Sequence, residues 1–236
     1  MSNKLKLYAH PESGHSYKVK LMLTLAGVDH DYTIVDILVD RDHRPEPFRS
    51  LSLARFGEVP LLVSGQDVFV QSNAILLHLA SDLGVLGGSD PNLMARAREW
   101  LLWEANKLGL SLPHLRLARN YFPDDFSAGA VEWLQARYDA DSLRLEREFD
   151  DGRPFILGES PTIADCSLCG YLFWANQASV TVRPKTKAWL SRIATLPGWK
   201  SPYRLLDPSG TYETFGTVKN EFLPEHALHQ LEGRTA

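Results

Sequence analysis

A chain of 236 residues is longer than one ordinary domain, and 44% hydrophobic with 23% charged residues sets it among globular proteins and away from disordered chains. Its 25 basic and 29 acidic residues leave a net charge of -4 with no long run of either sign, which excludes an electrostatic footprint for nucleic acid or an anionic membrane surface. Only Cys166 and Cys169 are present, too few for the disulfide framework of a secreted scaffold, and no segment approaches the ~18 unbroken apolar residues of a membrane span.

Met1 to Leu7 alternates in hydropathy where a signal peptide would run apolar, so a cytoplasmic protein is expected. Lys4 to Ala9 reads as a strand. A break at Pro11 and Gly14 leads into Val19, Met22, Leu23 and Ala26, a helical stripe that Gly27 should end. A second strand follows around Tyr32 to Ile37, then a polar stretch with Pro45 and Pro47. Val59 to Val63 and Val68 to Val70, joined by Ser64 and Gly65, read as a hairpin. Ser72 then starts a helix through Leu83, stopped by Gly84.

The pattern changes after the Gly-rich segment Gly87 to Pro91. Met94, Ala97, Leu101, Ala105, Leu108 and Leu112 recur at helical spacing. Further helical patterns cover Ala130 to Phe149, Thr162 to about Ala178, and Lys185 to Ala194, with no strand signal between them. The expected organisation is an α/β unit over residues 1–84, a linker at 85–91, an all-α unit over 92–207 and an extension over 208–236.

Three places carry candidate chemistry. Ser13 lies in the loop before the first helix, where a thiolate would be favoured by the positive helix end and by a hydroxyl donor; the alternative is that Ser13 or Ser16 only caps that helix. Val59-Pro60 opens a strand. A cis bond there would turn the Val59 backbone outward to pair with a bound peptide, whereas a trans bond would be an ordinary strand edge. Gln71 and Ser72 begin a helix directly after a strand, so Ser72 is a natural N-cap whose neighbouring N–H groups can take a carboxylate.

Taken in order, these pieces resemble the glutathione transferase family, and most nearly its bacterial serine-type members near the theta-like classes. The matching segments are L-Y-A-H-P-E-S-G-H-S-Y-K-V at 7–19, G-E-V-P at 57–60 and Q-S-N-A-I at 71–75. R-E-W at 98–100 looks like the start of the family's first long helix, and S-P-T-I-A-D at 160–165 like its capping box, with Thr162 and Asp165 as partners. The resemblance implies a thioredoxin-like N-terminal domain and an all-helical C-terminal domain. It implies Ser13 as the catalytic hydroxyl and Val59, before Pro60, on the cysteinyl backbone. Gln71 and Ser72 then hold the γ-glutamyl end, and His43 in D-H-R-P-E lies near the glycyl carboxylate.

The chain departs from the family pattern at Ala54-Arg55, where Asn-Pro is common, and at Gln71, where many members carry an acid. Some branches use a tyrosine at the end of the first strand, one residue beyond Tyr8, where this chain has Ala9. The residues after about 207 run past the usual family end and would cover the active site or a dimer contact. A redox reading of Cys166 and Cys169 is disfavoured because the pair falls inside a capped apolar helix. The eight histidines form no ligand-spaced cluster, so neither a metal nor a prosthetic group is expected. The expected partners are glutathione as co-substrate, a small hydrophobic electrophile, and a second copy in a homodimer. Alternatives are another glutathione-dependent reaction on this scaffold, or a binding module without turnover.

Overall fold

The computed structural model describes residues 4–224; the ends of the first expected unit and of the extension lie outside the described residues. The first strand, β1 (Leu5–Ala9), feeds helix α1 (Gly14–Leu25), followed by β2 (His30–Ile34). A single 3-10 turn at Arg41–His43 and a short helix α2 (Phe48–Leu53) fill the proline-containing stretch, and β3 (Leu61–Ser64) and β4 (Asp67–Val70) form the hairpin before α3 (Ser72–Leu83). The four strands make one mixed sheet in the order β2-β1-β3-β4, with β1 parallel to β2 and antiparallel to β3. β2 starts two residues before the expected Tyr32 and stops at Ile34. The cause is its register: Leu5 pairs with His30 and Ala9 with Ile34, so β2 ends where its partner does.

Side chains on β1 alternate between faces, as a strand requires. Leu7 and Ala9 point into the main core with α1 and α3, while Tyr8 joins Val35, Phe48, Leu61 and Val70 on the opposite face. Gly84 adopts φ 66° and ends α3, the left-handed conformation that glycine takes without a Cβ clash.

After α3 the chain is helical. Asp90 caps α4 (Pro91–Asn106) by accepting the N–H groups of Asn92 and Leu93, so this helix begins before the R-E-W segment. The stripe from Met94 to Leu112 is not one helix. It breaks at Lys107 into α4 and α5 (Leu108–Arg116), and then passes into a π-type turn at Leu117–Tyr121. Glu104 is turned inward at the break: its carboxylate pairs with Lys18 on α1 at 2.7 Å, both side chains almost fully buried, and lies over Gly109, where a Cβ would come within 2.6 Å.

Helices α6 (Ala128–Arg147), α7 (Ile163–Cys169), α8 (Pro184–Ala194) and α9 (Pro202–Leu206) complete the unit. All seven residues of α7 are buried, with α1, α3 and α4 packed around it. Thr162 and Asp165 form the expected capping box, and the Asp165 carboxylate also accepts the Ile156 N–H at 3.0 Å and the Trp189 indole N–H at 2.9 Å. The helical pattern expected from Thr162 to Ala178 is interrupted after Cys169; at Gly170 the Lys18 stem fills the space a Cβ would need, so only a glycine fits there. No helix is long and apolar enough to cross a membrane among the described residues.

Candidate functional site

A cleft of about 620 Å³ opens between the two units. Glu12, Ser13 and His15 line it from the β1–α1 loop and the start of α1, and Arg41, Arg44, Glu58 and Val59 from the rest of the sheet unit. Across the cleft stand Pro113, Arg116, Leu117, Tyr121, Phe122 and Tyr171, together with Phe215 from the extension.

Ser13 is the N-cap of α1. Its backbone is extended (φ -97°, ψ 109°), and its Oγ accepts the Ser16 N–H at 3.1 Å. An oxygen used as an acceptor keeps its own proton to donate. Capping and donation into the cleft are therefore compatible in one hydroxyl. Tyr8, on the reverse face of the sheet, is 2% exposed with its ring 5.4 Å from that of Phe48, and does not line the cleft.

The Val59-Pro60 bond is cis, and Val59 faces the cleft just ahead of β3. Ser72 corrects its expected role. It is the first residue of α3 rather than the cap; Gln71 takes the cap position with φ 68°, ψ 111° and no capping bond. A positive φ in a residue with a Cβ is uncommon and costs energy unless the surroundings hold it. The Gln71 amide donates to Glu58 at 3.3 Å, and the Ser72 hydroxyl pairs with His15 Nδ1 at 3.3 Å. Both residues thus reach the cleft through neighbours that line it.

His43 is exposed at the end of its 3-10 turn and is not among the residues lining the cleft. The basic groups that the sheet unit brings to the cleft are Arg41 and Arg44. Arg44 is committed to the loop, donating to the carbonyls of Val39, Gly57 and Ile37. Arg41 lies across Gly57, whose missing Cβ leaves room for its stem, and faces Glu58 at 3.8 Å at the mouth of the cleft.

Burial shapes the electrostatics. Desolvation holds His15 down to about 3, aided by the Lys18 charge, so its ring is neutral at physiological pH. Desolvation likewise pushes His10 down to about 4 against the opposing pull of Glu12. Burial would raise the Glu12 carboxyl, but the Arg116 charge and the hydroxyls of Thr214, Tyr121 and Tyr203 bring it below its ordinary value. Cys166 and Cys169 are buried in α7 with their thiols pushed up by burial, which leaves them protonated and away from the cleft. No cluster of three metal-ligating side chains occurs among the described residues.

Glu12, Arg41, Arg116 and Phe215 were not singled out by sequence; Tyr171 is one of four aromatics, with Trp100, Trp103 and Trp174, that the sequence assigns to the core with one or two at the cleft, and it does line the cleft. Glu12 adjoins Ser13, and Arg41 stands two residues before His43, so proximity to motif residues was the one available signal. For Phe215 the extension itself was the signal, and its described part does reach the cleft. Asn120 holds it there by donating to the Val218 carbonyl at 3.1 Å and accepting the Val218 N–H at 2.6 Å.

Two family models match the chain in order: the glutathione S-transferase N-terminal domain over residues 7–84 and the glutathione S-transferase C-terminal domain over residues 128–192. The chain is 25% identical to a disulfide-bond oxidoreductase of Escherichia coli across 80% of its own length and 89% of the relative's. It is 27% identical to a maleylpyruvate isomerase of Ralstonia sp across 76% and 86%, respectively. A solved structure described as a possible glutathione S-transferase from Rhodopseudomonas palustris matches with a TM-score of 0.75 and 29% identity, over 84% of this chain and 98% of that one.

Proposed function

The chain belongs to the glutathione S-transferase family, and from that premise we propose that it is a serine-type, theta-like glutathione transferase that joins glutathione thiolate to a small hydrophobic electrophile. The observation that carries this reading is the Ser13 hydroxyl, fixed as an acceptor by the Ser16 N–H and left with its proton to donate at the cleft. A donor aimed at sulfur favours the thiolate over the thiol, and the positive end of α1 acts in the same direction. The thiolate is intrinsically nucleophilic, so ionising it and holding the electrophile beside it suffices for reaction.

Val59 pairs with the cysteinyl backbone, Gln71 and Ser72 hold the γ-glutamyl end, and Arg41 replaces His43 as the cation for the glycyl carboxylate. Leu38, Leu117, Phe122 and Phe215 are all substantially exposed and line the cleft, which suits an apolar electrophile. The same reading includes a cytoplasmic homodimer, which rests on the family resemblance. Sedimentation as a monomer at micromolar concentration would remove the dimer.

Mixing the protein with glutathione and a generic aryl halide tests the reaction. Thioether should form, and should fall roughly tenfold or more in Ser13→Ala at neutral pH. A second reading is isomerisation or disulfide reduction by the same thiolate, favoured by the names of the two relatives above. It takes precedence if an isomerisable unsaturated acid or a mixed disulfide is consumed and the aryl halide is not.

A further inference from the structure

The N-terminus of α1 presents four backbone N–H groups that the helix itself cannot pair. The Ser13 N–H donates to the His10 carbonyl at 3.0 Å, and the Ser16 N–H to the Ser13 hydroxyl at 3.1 Å. The remaining two, on Gly14 and His15, are near the hydroxyl of Tyr171 and pull its phenol down against the larger effect of burial. That tyrosine belongs to the helical unit, just after α7, yet its hydroxyl sits at the positive end of a helix in the sheet unit.

The ring is held there by close packing. A Cβ on Gly14 would come within 2.6 Å of it, so a glycine at the first position of α1 is what lets the ring lie against the helix. The His15 ring meets it edge-on with centroids 5.0 Å apart. Tyr171 also lines the cleft that Ser13 lines.

A phenol oxygen near these N–H groups has its own O–H to give, and their dipoles polarise that O–H. Burial pushes the phenol up to about 12, which keeps it protonated and a donor at neutral pH.

We propose that Tyr171 is a second catalytic donor, its hydroxyl facing the glutathione sulfur anion opposite Ser13 and relaying to it the positive end of α1. This rests on the glutathione reading of the cleft. The thiol proton passes to solvent and Tyr171 keeps its own, so no bond is made or broken at the phenol. The thiolate is thereby stabilised from both units at once, and the site is complete only when they are packed together.

The test is the pH titration of thiolate absorbance in the glutathione complex, with thermal melting as a check on folding. Tyr171→Phe keeps the ring on Gly14 and removes the donor. It should raise the thiol pKa by about one unit, lowering the thiolate at neutral pH by up to about tenfold, with little change in glutathione affinity. Gly14→Ala, which drives the ring away while leaving the phenol intact, should shift the pKa in the same direction. In the Tyr171→Phe background it should add little, since both changes remove one interaction. An unchanged thiol pKa in Tyr171→Phe, with Ser13→Ala raising it, overturns the role of Tyr171 and leaves the functional reading standing. A wild-type protein that neither binds nor ionises glutathione removes both. If Tyr171→Phe does not fold, an unshifted pKa in a folded Gly14→Ala overturns the proposal by itself.

Discussion

Glu12 and Arg116 form an ion pair almost closed to solvent, their side chains 4% and 5% exposed, which ties the loop preceding Ser13 to the end of α5. The Glu12 carboxylate also accepts the hydroxyls of Tyr121 at 2.6 Å and Tyr203 at 2.7 Å, and Arg116 donates from its Nε to Gln177 at 2.7 Å. Removing one partner of such a pair leaves a buried charge uncompensated. Arg116→Ala is therefore expected to destabilise the fold by about 3–5 kcal/mol. Chemical denaturation checks it; a loss below about 1 kcal/mol would mean that water or the tyrosines already neutralise Glu12.

Ser13→Ala should raise the pKa of bound glutathione by one to two units, equivalent to roughly 1.4–2.7 kcal/mol, and reduce the thiolate at neutral pH accordingly. The same change deletes a helix cap worth about 0.5–2 kcal/mol of stability. Ser13→Thr keeps both a hydroxyl donor and a capping oxygen, and is expected to restore most of the thiolate. Tyr8→Phe, on the reverse face of the sheet, should leave the titration unchanged. A raised pKa in Tyr8→Phe alone would move the catalytic hydroxyl to that residue.

Phe215 belongs to the electrophile side of the cleft, with its ring 4.6 Å from Tyr121 and 6.0 Å from Phe122. Phe215→Ala removes apolar contact available to the electrophile but touches neither Ser13 nor Val59. KM for an aryl electrophile should rise about threefold to tenfold, as for an aromatic contact of about 0.5–1.5 kcal/mol. Affinity for glutathione should stay as it was. Isothermal titration with glutathione and steady-state kinetics with the electrophile separate the two effects, and an equal loss in both would place Phe215 in support of the whole loop.

Acid should unfold the protein through His10 and His15. Each is held neutral in the native state, down to about 4 and about 3, whereas an unfolded histidine takes up a proton near 6.5. The unfolded state then binds more protons below 6.5. The stability these residues contribute is complete above that value and is lost as pH falls toward about 4 for His10 and about 3 for His15. Within that window each histidine contributes a slope of about 1.4 kcal/mol per pH unit. Stability measured from pH 7.5 to 4.5 should fall more shallowly in His10→Asn. An identical slope in the variant would rule out His10 as a contributor.

Replacing Cys166 and Cys169 together by alanine should leave conjugation intact and lower stability by about 1–3 kcal/mol through lost packing in α7. Complete loss of activity in a folded double variant would restore a redox role to the pair.

The sequence by itself determined the elements whose cause is local. Alternation set β1, the Ser64–Gly65 turn joined the hairpin, Gly84 ended α3, and Thr162 with Asp165 capped α7, because each depends on residues a few positions apart. It also placed Ser13 at the start of α1, where it caps the helix and lines the cleft. Tertiary structure alone showed where helical periodicity fails, at Lys107 and after Cys169, and that the buried Lys18–Glu104 pair packs against the glycines beside both points, Gly109 and Gly170. It decided that Ser72 turns to His15 instead of capping α3, and that Arg41 rather than His43 stands at the cleft. The approach of Tyr171 to the start of α1, and the pairing of Glu12 with Arg116 across 104 positions, leave no periodic trace in the chain, because such contacts are fixed by packing two units together.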